Sequence, residues 1–273
     1  MLAAAVCVLW ALTFLAQRTG LPEADPRWFV FLRVLVASVV LVPFVLAAGR
    51  LAPRLHLAAL LLALVNQVGF ISLQVAGLVT VGAGPASAIV YLQPLLVLLG
   101  AAATLGEPLT RRRLVAAALG FAGVALISLG EAATGSAVGV LFLLGAAVSW
   151  SVGTLMTRAV TDLPALPLVG LQHVYAVPFL LLIALLGPTA PSPSATLVAT
   201  VLYAGVGGSA GAWLVWTLLL ARGDAGVVST WLFSVPVLAA VLGVLLLGES
   251  VTPALVVGVA LVAVGIRLVA GRA

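Results

Sequence analysis

"LGEPLT" at Leu105–Thr110 returns as "LGESVT" at Leu247–Thr252, 142 positions later. Each stretch stands between two apolar runs. Glu107 and Glu249 are two of only seven acids in a chain that is 64% hydrophobic. Sliding the chain against itself by 142 also aligns Pro94 with Pro236, Gly106 with Gly248, Thr110 with Thr252 and Gly123 with Gly265. Upstream, Gly84 meets Gly226 and Ser87 meets Ser229; at an offset of 140, Trp10 meets Trp150 and Arg18 meets Arg158. Matches of Ala, Leu or Val carry little information in this composition. Ordered matches of Pro, Glu, Gly and Trp predict an internal duplication, with one copy over 1–133 and the other over 134–273.

The 273 residues are only 7% charged, against about 25% for a soluble domain. Apolar runs recur at roughly the 17–25 residues needed to cross a bilayer. The alternating ten-residue segments of a β-barrel do not occur. The predicted fold is therefore an all-α integral membrane protein. Ten transmembrane helices are expected at Leu2–Gln17, Trp28–Ala48, Leu57–Val79, Pro85–Thr104, Leu114–Gly130, Ala137–Thr157, Ala165–Leu186, Ala195–Leu220, Gly226–Leu247 and Ala254–Ala270. The breaks between them carry Gly, Pro, Ser or charge, as in "GPTAPSPS" and "RGDAG". The first run lacks a basic leader, which makes it a span and not a cleaved signal.

The net charge of +5 comes from twelve Arg and no Lys. These sit mostly in short loops, a topology signal and not a nucleic-acid stripe. With the N-terminus cytoplasmic, inner segments hold Arg50, Arg54, Arg111, Arg112, Arg113, Arg158, Arg222, Arg267 and Arg272, and outer ones only Arg18 and Arg27. That bias predicts a plasma-membrane protein with both termini inside. Five spans per copy is an odd number, so the second copy enters from the opposite side. Two inverted five-helix repeats are a recurring plan of secondary transporters, with the substrate site near the midplane between the repeats.

The motifs carry a resemblance as well. A Trp in the first span ("VLWALTF"), Arg early in the second ("FLRVLVA") and "P…LGE.LT" after the fourth are similar to the EamA-type family of the drug/metabolite transporter superfamily. The Trp and "P…LGE" elements recur in the second half, and the likeness spans the chain. It implies a ten-helix transporter of small organic metabolites, often an exporter, without naming the substrate.

Several residues are candidates for the site, each with a plainer reading beside it. Glu107 and Glu249 read as capping acids of interfacial hairpins, or else as gate latches or proton carriers. Arg33 either snorkels to the interface or faces inward as a cation for a carboxylate or phosphate. His173 lies opposite it at the 140 offset and titrates near neutral pH, or is a structural hydrogen-bonding group. Asn66 and Gln67 are helix–helix glue or cavity lining, and Gln67 shares a face with Gln74. Trp213, Trp216 and Trp231 belong to an interfacial belt or to packing, or line the site. Trp10 and Trp150 are stronger candidates as repeat mates, as are Tyr91 and Phe233 before the shared prolines. Gly207 and Gly211 form a GxxxG step. The predicted substrate-binding set is Trp10, Arg33, Asn66, Gln67, Tyr91, Trp150, His173, Trp213 and Trp231.

Absences narrow the chemistry. A single Cys7 excludes an internal disulfide and a Cys-based metal site. There is no P-loop, no HExxH and no nucleophile elbow, so no catalytic residue, metal or cofactor is expected. The expected function is alternating-access transport, and export in particular, of small metabolites such as amino acids or drug-like solutes. The solute's own gradient or protons through His173 would drive it. Partners are the metabolite and the lipid bilayer, with no nucleic acid and a monomer or homodimer. The alternatives are an organic anion or sugar-phosphate carrier, a non-transporting scaffold or sensor, and an enzyme acting on lipid-linked substrates.

Overall fold

The computed structural model describes residues 2–78, 80, 81, 83–128, 136–187, 190–247 and 251–270. Glu249, Gly248 and Arg272 lie outside them. The described chain is helical throughout: α1 (Leu2–Gly20), α2 (Pro26–Ala47), α3 (Pro53–Leu62), α4 (Ile71–Leu78), α5 (Ala83–Val90), α6 (Gln93–Thr104), α7 (Arg111–Ser128), α8 (Ala137–Ala159), α9 (Ala165–Leu185), α10 (Ala195–Tyr203), α11 (Ala212–Leu220), α12 (Ala225–Thr230), α13 (Ser234–Leu247) and α14 (Pro253–Ala270). Eight-residue π-helical turns, Ala63–Phe70 and Ala204–Gly211, join α3 to α4 and α10 to α11 without a loop.

Among the described residues seven helical segments are long and apolar enough to cross a membrane: Leu2–Glu23, Pro26–Ala47, Pro53–Leu78, Ala137–Ala159, Ala165–Leu185, Ala195–Leu220 and Ala225–Leu246. Ala88–Thr104 and Pro253–Leu268 are shorter apolar helices. The remaining expected span falls on α7, whose first turn is three arginines. Val39, Leu46, Leu57, Leu141, Leu182 and Leu245 stand exposed. An apolar exterior of this kind is suited to acyl chains and not to water.

Local chemistry places the helix ends. Asp25 caps α2 by accepting the Arg27 N–H at 2.9 Å, with Pro26 at the first helical position. Ser194 caps α10 through the Leu197 N–H. Thr110 and Thr252, the last residues of the two opening motifs, cap α7 and α14 by accepting from Arg113 and Leu255. Gly106 takes φ +68°, the left-handed turn that ends α6. Pro94 has no N–H for the Val90 carbonyl, and α5 stops there. Pro236 has none for Leu232, and Trp231–Phe233 tightens into a 3-10 turn. The two π turns are likewise offset by 141 positions, so helix irregularities recur with the sequence repeat.

The contacts divide the chain into two compact units: Met1–Ser72 with Val160–Ala221, and Leu73–Ala159 with Arg222–Ala273. Each takes segments from both sequence halves. In the first unit α2 packs along α9, the turn Ala63–Phe70 packs on α9, and the turn Ala204–Gly211 packs on α2. The backbone approach here uses Gly205 and Gly208, not the GxxxG pair. A Cβ on Gly205 would lie 2.8 Å from the Arg33 carbonyl, and one on Gly208 would strike Thr13. Gly207 and Gly211 meet only atoms of their own segment, because the π turn rotates them off that face.

In the second unit α7 and α14 form the closest pair. A Cβ on Gly123 would lie 2.6 Å from the Gly258 carbonyl oxygen, and one on Gly265 2.7 Å from that of Ala116. The order of these contacts makes the two helices antiparallel. Gly123 and Gly265 are mates at offset 142, and so are Ala116 and Gly258. The contact is thus reciprocal.

The Asp25 carboxyl is held below its ordinary value of 3.8 by the Arg27 side-chain hydrogen bond. A depressed carboxyl stabilises the folded state above its unfolded pKa and loses that contribution as pH falls through the folded value. Asn also caps helices, so Asp25→Asn isolates the charge. The thermal-stability gap between wild type and this variant in detergent is expected to be constant from neutral pH to about 4 and to close below that. A gap that closes between pH 6 and 8 would contradict the assignment.

Candidate functional site

The first unit gathers most of the predicted site residues. Arg33 is the eighth residue of α2 and only 5% exposed, so it does not snorkel. Its Nε donates to Ser209 Oγ at 3.1 Å, within the turn Ala204–Gly211. Among the described residues no carboxylate lies within 4 Å of it, and neither Nη has a hydrogen-bond partner. This cation is therefore buried without a counter-ion among the described residues, an arrangement with a desolvation cost of several kcal/mol.

His173 on α9 is 0% exposed. Its Nδ1 lies 2.7 Å from the Val169 carbonyl. A carbonyl only accepts, so Nδ1 carries the hydrogen, and Nε2 has no partner among the described residues. The ring stands edge-on to Trp213, centroids 6.4 Å apart, within range of the Arg33 charge. Asn66 and Gln67 are 1% and 0% exposed, and no amide atom of either is hydrogen-bonded among the described residues. They sit in the π turn that packs on α9, where Gln172 Oε1 is also unpaired. Native interiors pair their polar groups, and π turns frequently mark functional sites.

An aromatic cluster adjoins this polar set. Trp10 donates its indole N–H to the Gly208 carbonyl at 3.1 Å. Its ring meets Trp213 and Trp216 at 6.2 and 5.7 Å. These tryptophans are mostly buried, so they form no interfacial belt. Tyr91, Trp150 and Trp231 fall in the second unit. Tyr91 and Trp150 are buried there, Tyr91 at the break between α5 and α6. Gln74 falls in that unit too, whereas Gln67 is in the first; the π turn breaks the seven-residue spacing that predicted a shared face.

Sequence reasoning missed Ser209 and Gln172. Gln172 had a signal, an amide at bilayer depth beside His173. Ser209 had none, lying 176 positions from the guanidinium it meets.

Glu107 works at a distance as well. It accepts the N–H groups of Ala225 and Gly226 at 2.6 and 3.0 Å, capping α12 and not its own hairpin. Arg158 Nε stands 4.0 Å away, and Arg113 pairs with Asp224 at 2.5 Å beside it. Among the described residues no group of three or more His, Cys, Asp or Glu is placed to hold a metal ion.

Comparison with known proteins agrees with this architecture. The profile of the EamA-like transporter family matches residues 1–129 and again residues 137–271. The chain belongs to that family, and is a multi-pass membrane transporter of small molecules and not an enzyme. It is 31% identical to the uncharacterized transporter YvbV of Bacillus subtilis, over 98% of this chain and 90% of that protein. It is 32% identical to a "probable terminal-alkyne amino-acid exporter" of Streptantibioticus cattleyicolor, over 97% of this chain and 91% of the relative. The uncharacterized inner membrane transporter YedA of Escherichia coli is 27% identical over 91% of this chain and 82% of its own length. A solved crystal structure shares the fold with a TM-score of 0.86 at 22% identity, covering 98% of this chain and 95% of that one.

Proposed function

We propose that this chain is a secondary transporter exporting small organic metabolites across the plasma membrane by alternating access. The observation that carries the reading is the buried set Arg33, Asn66, Gln67, Gln172 and His173. Among the described residues the amide atoms of Asn66 and Gln67, Gln172 Oε1 and His173 Nε2 have no hydrogen-bond partner, and the set draws on residues from both sequence copies. A polar set of this kind inside an apolar helical protein is costly unless a polar solute uses it. The amino-acid exporter among the relatives supports the solute class and the direction.

Two inverted five-helix repeats, 1–133 and 134–273, supply the two-state device. The double family match supports the duplication. The antiparallel, reciprocal contact of the mates α7 and α14 supports the inversion. Loop contacts support the alternation of sides. Arg54 bonds Asp162 and Arg113 bonds Asp224, each pair within segments read as cytoplasmic, while Ser194 bonds Glu23 within segments read as external. The arginine bias supports a cytoplasmic position for both termini.

The test is flux of labelled amino acids in proteoliposomes with and without a pH gradient. Saturable flux above that of protein-free vesicles is expected. Flux of every solute no greater than in empty vesicles would count heavily against a carrier. Proton coupling runs through His173, which lies within range of the Arg33 charge. A His173→Gln variant that keeps its full pH-gradient dependence would exclude that route.

A further inference from the structure

We propose that Arg33 is the receptor for the cargo, and that the cargo carries a single carboxylate. This rests on the carrier reading but deepens it, because it assigns the charge of the solute. Arg33 holds one full positive charge in the first unit, and among the described residues the neutral Ser209 hydroxyl is its one bonded partner. The hydrogen bond through Nε fixes the guanidinium plane and leaves both Nη groups to donate. A planar fork of donors matches a carboxylate bidentately. Water satisfies donors but does not neutralise a buried charge; an anion does both.

Charge balance selects among anions. Arg18, Arg27, Arg50 and Arg54, the other arginines of this unit, stand at helix ends or in loops. The other polar groups buried in the unit, among the described residues, are amides, hydroxyls and one imidazole. One carboxylate brings the site to neutrality with His173 neutral, whereas a phosphate dianion would leave a surplus negative charge with no second arginine inside the unit to meet it. A lone amine would add a second positive charge beside the first. The same unit offers acceptors for a donor elsewhere on the solute, His173 Nε2 and Gln172 Oε1. Trp10 and Trp213 provide apolar surface for the solute's body.

The experiment uses four probes with one apolar body, isovalerate, L-leucine, isobutylamine and isobutyl phosphate, titrated into the detergent-purified chain at neutral pH. Binding is read by tryptophan fluorescence and by thermal shift. Saturable binding of isovalerate or L-leucine is expected, with isobutylamine and isobutyl phosphate at least about tenfold weaker. Isovalerate alone would identify a simple acid as cargo, and L-leucine alone an amino acid. Arg33→Gln should weaken the binding probe at least about tenfold, with Arg33→Lys between it and wild type. Ser209→Ala, which keeps the charge, should weaken it less and covers the case in which the Arg33 variants fail to fold. Equal binding of the amine or the phosphate overturns the proposal. So does an Arg33→Gln variant that folds and binds like wild type, or saturable binding of none of the four.

Flux separates the two readings. Carboxylate binding without flux sinks the carrier and leaves the receptor standing. Flux that ignores probe charge and Arg33→Gln sinks the receptor and leaves the carrier.

Discussion

Gly123→Leu is expected to destabilise the protein by about 3 kcal/mol or more, the upper part of the range for overpacking. The Gly258 carbonyl oxygen already lies 2.6 Å from where the first side-chain carbon would sit. The obstacle is backbone, so no rotamer change relieves it. Either α7 and α14 separate, or the α14 ladder bends. Separation would also forfeit the close packing contacts that hold helices together where burial from water gives no drive. Gly145→Ala is the matched control, since its added carbon would meet Leu73 at an ordinary 3.4 Å. Thermal unfolding in detergent should drop sharply for the first variant and hold or rise slightly for the second. Equal midpoints for Gly123→Leu and wild type would show that the α7–α14 contact is looser than described.

Glu107→Ala should cost about 2–4 kcal/mol, because two buried N–H groups lose their acceptor at once. Glu107→Gln keeps a carbonyl oxygen for one of them and should lose roughly half as much. The nearby Arg158 adds little at 4.0 Å and partial exposure. The graded order, with flux per folded molecule unchanged, belongs to a capping acid. A proton carrier predicts the reverse: Glu107→Gln would fold like wild type and lose its pH-gradient response. Measuring unfolding midpoint and gradient-driven flux on both variants separates the two roles.

The spans were legible because the bilayer sets the length of an apolar run before tertiary structure is known. The caps were local signals that went to the wrong residue: the capping role was read onto Glu107 and Glu249, whereas Thr110 and Thr252 accept from the N–H groups three residues on. The partners of the charged groups were not legible. Glu107 meets residues 118 and 119 positions away, and Arg33 meets Ser209 at 176. No local pattern encodes such pairings. The π turns were hidden too. "ALVNQVGF" and "AGVGGSAG" carry no breaker that separates a π from an α turn, so Gln67 and Gln74 looked co-facial and Gly207 and Gly211 looked like the packing step. Arg33 stood out as a charge in an apolar span, and Trp10 and Trp150 as repeat mates, as did Tyr91 with Phe233. Trp10 and Arg33 lie in the first unit, and Tyr91, Trp150 and Trp231 in the second.

The cap on α12 has a consequence for biosynthesis. Chains grow at roughly 5–20 residues per second, so Glu107 exists for some 6–24 seconds before Ala225 has been made. Through that interval its carboxylate has no helix end to bind and must stay hydrated. The "LGEPLT" hairpin therefore starts life as a wet surface turn. It becomes an interior joint only when the ninth span arrives to claim it.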